Sequence, residues 1–238
     1  MPHNRYFVDE FFQENAAVLL SGDEYHHLAR VSRGKLGDFA ELVNGRGQMA
    51  DATVARLNKH EAELQIRRVI ETPRQKAPLI LAQALTRMNH LEWIIEKGTE
   101  LDASAFWLFP GIHSEKESLS EPQAQRLKNL AISAMKQCGR LDLPAIVMKP
   151  PLLQWLPLDG TLLYGSTSDK APYLWDLALE KPLPSPVILF IGTESGFDPK
   201  ETHFLEGALK AKGIRLHSNI LRAETAALTA LSLIQSHL

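Results

Sequence analysis

The hydrophobic rhythm of the chain changes at ETPRQKAP, Glu71–Pro78, and that change limits the folds open to it. Before it, apolar residues come in short runs: RYFV, DFAELV, MADATVARL and AELQIRRVI. Short strands joined by tight turns predict a small β-barrel. After it, strand-like runs such as LILAQAL, AFWLF, AIVM, TLLYG and VILFIG alternate with helical patterns. That alternation predicts an α/β fold with a mostly parallel sheet. Two prolines and three charges make ETPRQKAP a linker. The boundary gives two domains, 1–72 and 73–238, and 238 residues are enough for each to bury a core.

Local signals sharpen both halves. Ser21 and Glu24 stand at capping-box spacing, so a short helix starts at SGDEYHHLARV. Asn44-Gly45 is a hairpin signal, because both residues tolerate positive φ. In MNHLEWIIEKGTEL, residues Leu91, Ile94, Ile95 and Leu101 share one helical face. SEPQAQRLKNLAISAMKQCG opens with Ser120, Pro122 and Gln123 and keeps Leu127, Leu130, Ala131 and Ala134 on one side. Asp198, Pro199 and Glu201 have the order of N-cap, first turn and capping partner, for a helix expected to close at Gly213. IRLHS reads as the last strand and AETAALTALSLIQSH as the last helix.

Composition excludes more than it assigns. No apolar stretch approaches the ~18 residues a membrane helix needs. The first ten residues lack the apolar core of a secretory signal. A single cysteine, Cys138, cannot pair internally, so a reducing cytoplasm is expected. The formal charge of −2 lends no support to nucleic-acid binding, although a local patch would suffice. G-x-G-x-x-G and the phosphate loop G-x-x-x-x-G-K-[ST] are absent. A nucleophile elbow at Ser195 would need glycine at 193 and 197, where Thr193 and Phe197 stand. H-E-x-x-H and paired cysteines are absent too, so no metal is expected.

What remains are two polar turns near the C-terminus. FIGTESGFDP ends a buried strand in glycines flanking an acid, at the strand end where ligands of open α/β sheets bind. Glycines there would let a ligand approach the backbone; the same residues also suit a tight turn with no ligand. NILRAETAALTAL places Arg222 and Glu224 at the mouth of the last helix. Arg222 either pairs with Glu224 or points a fixed cation into a pocket. His26, His27, Arg30, Arg33 and Lys35 are a solvated basic face or a set of phosphate contacts. Lys136 and Arg140 suit the C-terminal dipole of a helix.

In this order and spacing, RYFV, HHLARVSRGKLGD, VNGRGQ, LEWIIEKGTEL, KQCGR, FIGTESGF and LHSNILRAETAALTAL resemble the bacterial 16S ribosomal RNA uracil-N3 methyltransferase family. That family lies within the trefoil-knotted SPOUT methyltransferases. The resemblance implies a PUA-like barrel that helps hold RNA, followed by a knotted domain that binds S-adenosylmethionine. It implies a homodimer acting on small-subunit ribosomal RNA, or on the subunit itself, in the cytoplasm. The cofactor loops match LLYG, IGTESG and LHSNILRAE, which assigns Leu163, Gly165, Ile191, Gly192, Glu194, Gly196, Leu216, Ile220 and Leu221 to the cofactor. Arg222 would stabilise a uridinate, with Glu224 holding it in place. Arg5, Arg30, Arg33, Lys35 and Arg140 would anchor phosphates. The family usually has G-P-E-G-G where this chain has Gly192-Thr193-Glu194-Ser195-Gly196, and glycine where it has His217. A non-catalytic RNA binder with this fold, or a knotted methyltransferase for another RNA, would share most of these features.

Overall fold

A computed structural model describes residues 4–72, 77–178 and 183–236; residues 73–76 of the expected linker lie outside the described residues. The chain divides into two units, Met1–Gln75 with Ile132–Leu143, and Lys76–Ala131 with Pro144–Leu238.

The first unit holds β1 (Arg5–Phe7), β2 (Ala17–Ser21), β3 (Phe39–Val43), β4 (Gln48–Leu57) and β5 (Glu61–Glu71) in one sheet, ordered β1-β3-β4-β5-β2. β1 runs parallel to β3 and the other pairings are antiparallel. Residues from both edge strands, Tyr6 of β1 and Val18 and Leu20 of β2, share one core with Leu42, Ala50, Leu64 and Ile66. The sheet must therefore curl around that core. Register shifts at Asp51/Ala52 and Val54/Arg56 supply the bend, because a bulge raises local twist.

Helix α1 (Gly22–His26) does begin after Ser21 and continues as a π-helical turn over His27–Val31. Its capping box does not form. Ser21 makes no side-chain cap bond, and Glu24 instead pairs with Lys136 at 2.5 Å. The Asn44-Gly45 signal marks a hairpin of a different kind. Gly45 and Gly47 take positive φ and Asn44 does not. The Asn44 side chain folds into the turn and accepts from the Arg46 and Gln48 amides at 2.8 and 3.2 Å. Residues 132–143 return to this turn: the Gly47 amide donates to Leu141 O and the Leu143 amide to Gly45 O, both at 2.8 Å. Nothing in the pattern of residues 121–143 signalled that return.

The second unit is a six-stranded, all-parallel sheet. Its elements are β6 (Leu79–Ala84), α2 (Met88–Glu100), β7 (Ala105–Phe109), α3 (Glu121–Cys138, which from Ile132 belongs to the first unit), β8 (Ala145–Met148), β9 (Thr161–Gly165), α4 (Leu174–Ala178), β10 (Val187–Ile191), α5 (Pro199–Gly207), β11 (Lys212–Ile214) and α6 (Ala223–Gln235). The strand order is β11-β9-β10-β6-β7-β8. All five residues of β10 are buried, as an uninterrupted apolar run inside a parallel sheet requires. Each such side chain stabilises the fold by roughly 1.5–3 kcal/mol. Trp155 packs edge-on or tilted against Trp107, Phe109 and Phe190.

Helix α2 buries Leu91, Ile94 and Ile95 as its periodicity predicts. The capping box of α5 is complete: Asp198 accepts from the Lys200 amide and Glu201 from the Asp198 amide, both at 2.9 Å. That helix stops at Gly207, six residues short of the expected Gly213. Its last carbonyls are taken by the amides of Leu209 and Ala211, and Lys210 turns the chain at φ 58°. β11 then starts at Lys212, earlier than IRLHS suggested. The order of strands puts the ends of β6 and β10 side by side, and β7 and β9 diverge from them in opposite directions. Ligands of such sheets bind at that reversal.

Candidate cofactor cavity

At the carboxyl ends of β9, β10 and β11 lies a cavity of about 740 Å³. Its walls are Tyr164–Asp169 at the end of β9 and beyond it, Ile191–Phe197 at the end of β10 and beyond it, and Arg215–Leu221 after β11, closed by Ala223 and Ala226 of α6. Eight of the nine residues assigned to the cofactor line it: Gly165, Ile191, Gly192, Glu194, Gly196, Leu216, Ile220 and Leu221. Leu163 does not. It sits inside β9, 3% exposed, one residue before the wall begins at Tyr164.

The glycine turn is built differently from expectation. A Cβ on Gly192 would stand 2.7 Å from the Gly196 carbonyl carbon and 2.9 Å from its oxygen. Gly192 is therefore glycine because the turn folds back on itself, and no ligand is needed to explain it. The closure is held by Gly196 N–H to Thr193 O at 2.9 Å and by Thr193 Oγ1 donating to Gly196 O at 3.1 Å. Gly196, at φ 78°, has open space where a Cβ would be. It is the glycine that keeps the cavity wall bare. Beneath the turn, the fully buried Gln83 at the end of β6 donates to Gly192 O at 3.0 Å. Sequence reasoning passed over Gln83. A lone polar residue closing an apolar strand was the available signal.

Arg222 caps α6 from outside, with extended backbone and an exposed side chain. Among the described residues its guanidinium has no ion pair. Glu224 does not hold it. The Glu224 carboxylate faces α2 instead, with Oε2 at 3.9 Å from His90 Nδ1. His90 Nδ1 lies 3.0 Å from Glu194 Oε1, which also accepts from the Arg87 amide at 3.1 Å. Burial alone would raise the Glu194 pKa. Its own amide, the Arg87 amide and His90 outweigh that and hold it below the usual carboxylate value. His90 is the other residue that sequence reasoning missed. Its signal was a histidine in the first turn of a helix that follows a central strand.

The walls suit a molecule with a purine, a hydroxylated sugar and cationic groups. Leu216, Ile220 and Leu221 offer apolar surface, Ser166, Thr167 and Thr202 offer hydroxyls, and Glu194 and Asp169 offer negative charge. The volume lies within the ~300–1,000 Å³ range of small-molecule sites. S-adenosylmethionine has that chemistry. No cluster of side chains able to hold a metal occurs among the described residues.

The five cations assigned to RNA separate into two groups. Arg5 is paired with Glu41 at 3.0 Å and Arg140 with Asp142 at 2.6 Å, their side chains only 10% and 9% accessible. Both serve the first unit's interior. Arg30, Arg33 and Lys35 are exposed, and none forms an ion pair among the described residues. Arg33 stands at φ 53°, in the turn that carries the segment away from the π-helix.

Proteins similar to this chain match it over nearly its whole length. The Ribosomal RNA small subunit methyltransferase E of Rickettsia conorii is 27% identical over 237 residues, 99% of this chain and 96% of its own. That of Bacillus subtilis is 28% identical, covering 97% and 95%. A Legionella pneumophila protein, described as a methyltransferase and solved with the cofactor SAM bound, superposes with a TM-score of 0.88. It is 26% identical and the match covers 99% and 98% of the two chains. The small subunit methyltransferase E of Neisseria gonorrhoeae shares the fold at a TM-score of 0.85, 24% identity and 98% and 97% coverage. Residues 20–67 match an RNA methyltransferase PUA domain and residues 73–235 an RNA methyltransferase domain, and the chain therefore belongs to the RNA methyltransferase family.

Proposed function

We propose that the protein methylates N3 of a uridine in the 16S RNA of the small ribosomal subunit, using S-adenosylmethionine. The observation that carries this reading is the cavity at the ends of β9, β10 and β11, inside an RNA methyltransferase domain. Near-complete coverage of relatives named for the small subunit RNA supports the substrate. A homodimer, a trefoil knot through the second domain and a cytoplasmic site of action belong to the same reading.

S-adenosylmethionine, when bound, supplies a methyl group activated on a sulfonium. The rest falls to the chain. Leu216, Ile220 and Leu221 would take the adenine, and the bare wall at Gly196 with the hydroxyls after β9 would take the ribose and methionyl parts. N3 of uridine lies on the Watson–Crick edge, so the target must be unpaired when it reaches the site. It also carries a proton, and neutral uridine is a poor nucleophile there. A fixed cation beside the base favours its anion, with the N3 proton released to solvent water. Arg222 is that cation: exposed, without an ion pair among the described residues, and set at the start of α6, next to Ala223 in the cavity wall. Arg30, Arg33 and Lys35 would contact phosphates of the flanking RNA.

The test is transfer of labelled methyl from S-adenosylmethionine to small subunits purified from a strain lacking this gene, followed by mass analysis of the RNA. A single new 3-methyluridine in 16S RNA is the expected result. Label in another nucleotide or another RNA would replace the substrate assignment, and no label with saturating cofactor would end the catalytic reading.

A further inference from the structure

Three loops meet at His90. It belongs to the first turn of α2, after β6. Glu194 belongs to the glycine turn after β10, and Glu224 to the first turn of α6. The imidazole Nδ1 is 3.0 Å from Glu194 Oε1 and 3.9 Å from Glu224 Oε2. Two carboxylates brought to one point repel each other unless a donor or a positive charge stands between them. His90 is the side chain in that place. It is 22% accessible, against 15% for Glu224 and 38% for Glu194.

The two contacts are unequal. Glu194 is satisfied, by His90 and by the Arg87 amide at the start of α2. Glu224 Oε2 is buried and has no hydrogen-bond partner among the described residues. Leaving a buried carboxylate oxygen without a donor is unfavourable, and folded chains keep few such groups without a use for them. Glu194 lines the cavity. Glu224 does not, but it lies between Ala223 and Ala226, which do. The histidine thus ties a cofactor-facing turn to the helix turn that begins with Arg222.

We infer that His90 is a positioning residue of the methyl-transfer site: its Nδ1 holds Glu194 at the cavity wall for the cofactor, and its ring, standing between Glu194 and Glu224, keeps the Glu224 carboxylate turned toward α2 and away from Arg222. This deepens the proposed function and rests on it for the RNA half of the argument. The cofactor half stands on the cavity alone. With the imidazole in place, both carboxylates are turned toward α2, and Arg222 keeps its charge for the substrate. Without it, the repelling carboxylates reorient, and the glycine turn loses the hold that sets the Glu194 backbone at the cavity wall. Arg87 does not substitute as a cation, because its guanidinium is turned to Glu115 at 3.5 Å.

Two variants separate positioning from bulk stability. His90→Leu fills the space without a donor. His90→Asn keeps an N–H donor near the Nδ1 position and carries no charge. The readouts are cofactor affinity by calorimetry on the full-length protein and the single-turnover transfer rate with both ligands saturating. His90→Leu is expected to weaken S-adenosylmethionine binding about tenfold, the cost of one charge-assisted hydrogen bond. It should also slow saturated transfer about 100-fold, as loss of a preorganised group does. His90→Asn should recover most of the affinity. A Leu variant with wild-type affinity and rate, or Leu and Asn variants that fall equally in both, would overturn the inference. If the wild type binds cofactor but transfers no methyl to ribosomal RNA, the proposed function fails, while the affinity comparison still decides whether His90 positions the turn.

Discussion

The protein contains two turns that look alike in sequence and do opposite things. Asn44-Gly45-Arg46-Gly47 and Gly192-Thr193-Glu194-Ser195-Gly196 both set charged or polar residues among glycines at the end of a strand. In the first, the Asn44 side chain is spent inside and Arg46 is paired at the surface. Asn44 Nδ2 donates to Glu10 O and Gln48 Oε1, its Oδ1 accepts from Arg46 and Gln48, and Arg46 pairs with Asp9. In the second, Thr193 alone closes the turn, and Glu194 is left to contact α2 and the cavity. The first joins antiparallel neighbours in a sheet whose core lies to one side. The second sits where a parallel sheet reverses its strand order. Glycine content marks a turn; its place on the sheet decides whether the turn has anything to bind.

The largest effect should come from Arg222, which stands between the cavity-lining Leu221 and Ala223 and has least structural work. Arg222→Ala is expected to cut the single-turnover rate about 100- to 1000-fold, as removal of a transition-state donor does. Cofactor affinity should stay within about threefold, because a contact made only in the transition state does not contribute to ground-state binding. Turnover near wild type would remove Arg222 from the chemistry.

Substitution in each turn tests the comparison directly. Gly192→Val should raise the cofactor Kd by more than about tenfold, since its Cβ collides with the Gly196 backbone and the cavity wall must shift. Asn44→Ala should leave cofactor affinity unchanged and destabilise the protein by about 1–3 kcal/mol, the cost of leaving buried partners unsatisfied. Calorimetry and denaturant melts give both numbers. If Asn44→Ala weakens cofactor binding and Gly192→Val does not, the two turns have been assigned the wrong way round.

A smaller effect is expected from the exposed basic segment. Replacing Arg30, Arg33 and Lys35 together by glutamine should weaken RNA binding and reduce the salt slope by about two, at roughly 0.7 for each phosphate no longer neutralised. Arg5 and Arg140 should contribute nothing to that slope, because their charges are already matched at 3.0 and 2.6 Å. Parallel slopes for the triple variant and wild type would reduce the segment to a solvated face.

How much of this was legible depends on whether the signal was local. The strands β6, β7, β9 and β10, helices α2 and α6 and the Asp198 cap follow from residues a few positions apart. The cavity was legible through Gly196, Leu216 and Leu221, which lie on loops at strand ends. Distance in sequence hid the rest. Glu194 meets His90 across more than a hundred residues, and Gln83 meets Gly192 across as many. Arg5 and Arg140 look like phosphate anchors in the sequence because Glu41 is remote from Arg5, and because the pairing of Arg140 with Asp142 depends on a turn no local pattern announced. Leu163 lies one residue short of the cavity wall, because the wall begins only where β9 ends and the sequence does not mark that end to the residue.

The smallest effect concerns the charge on Glu194. Its folded pKa is lowered, so its contribution to stability is present above the unfolded carboxylate pKa of about 4.3 and is lost as pH falls through the folded value. Glu194→Gln removes that contribution. The wild type should therefore melt at a higher temperature than the variant near neutrality, and the two should converge in acid. The gap should be a few tenths of a kcal/mol, because the side chain is 38% accessible and solvent screens it. Added salt should narrow it further. Asn44 supplies the control. It does not ionise, so the deficit of Asn44→Ala should not respond to pH through residue 44 itself. Glutamine keeps the carbonyl acceptor that the Arg87 amide and His90 use and removes only the charge. A Glu194→Gln deficit that persists unchanged below the carboxylate range would therefore show that the charge is not what Glu194 contributes to the glycine turn, and the pH dependence would have to be traced to another group.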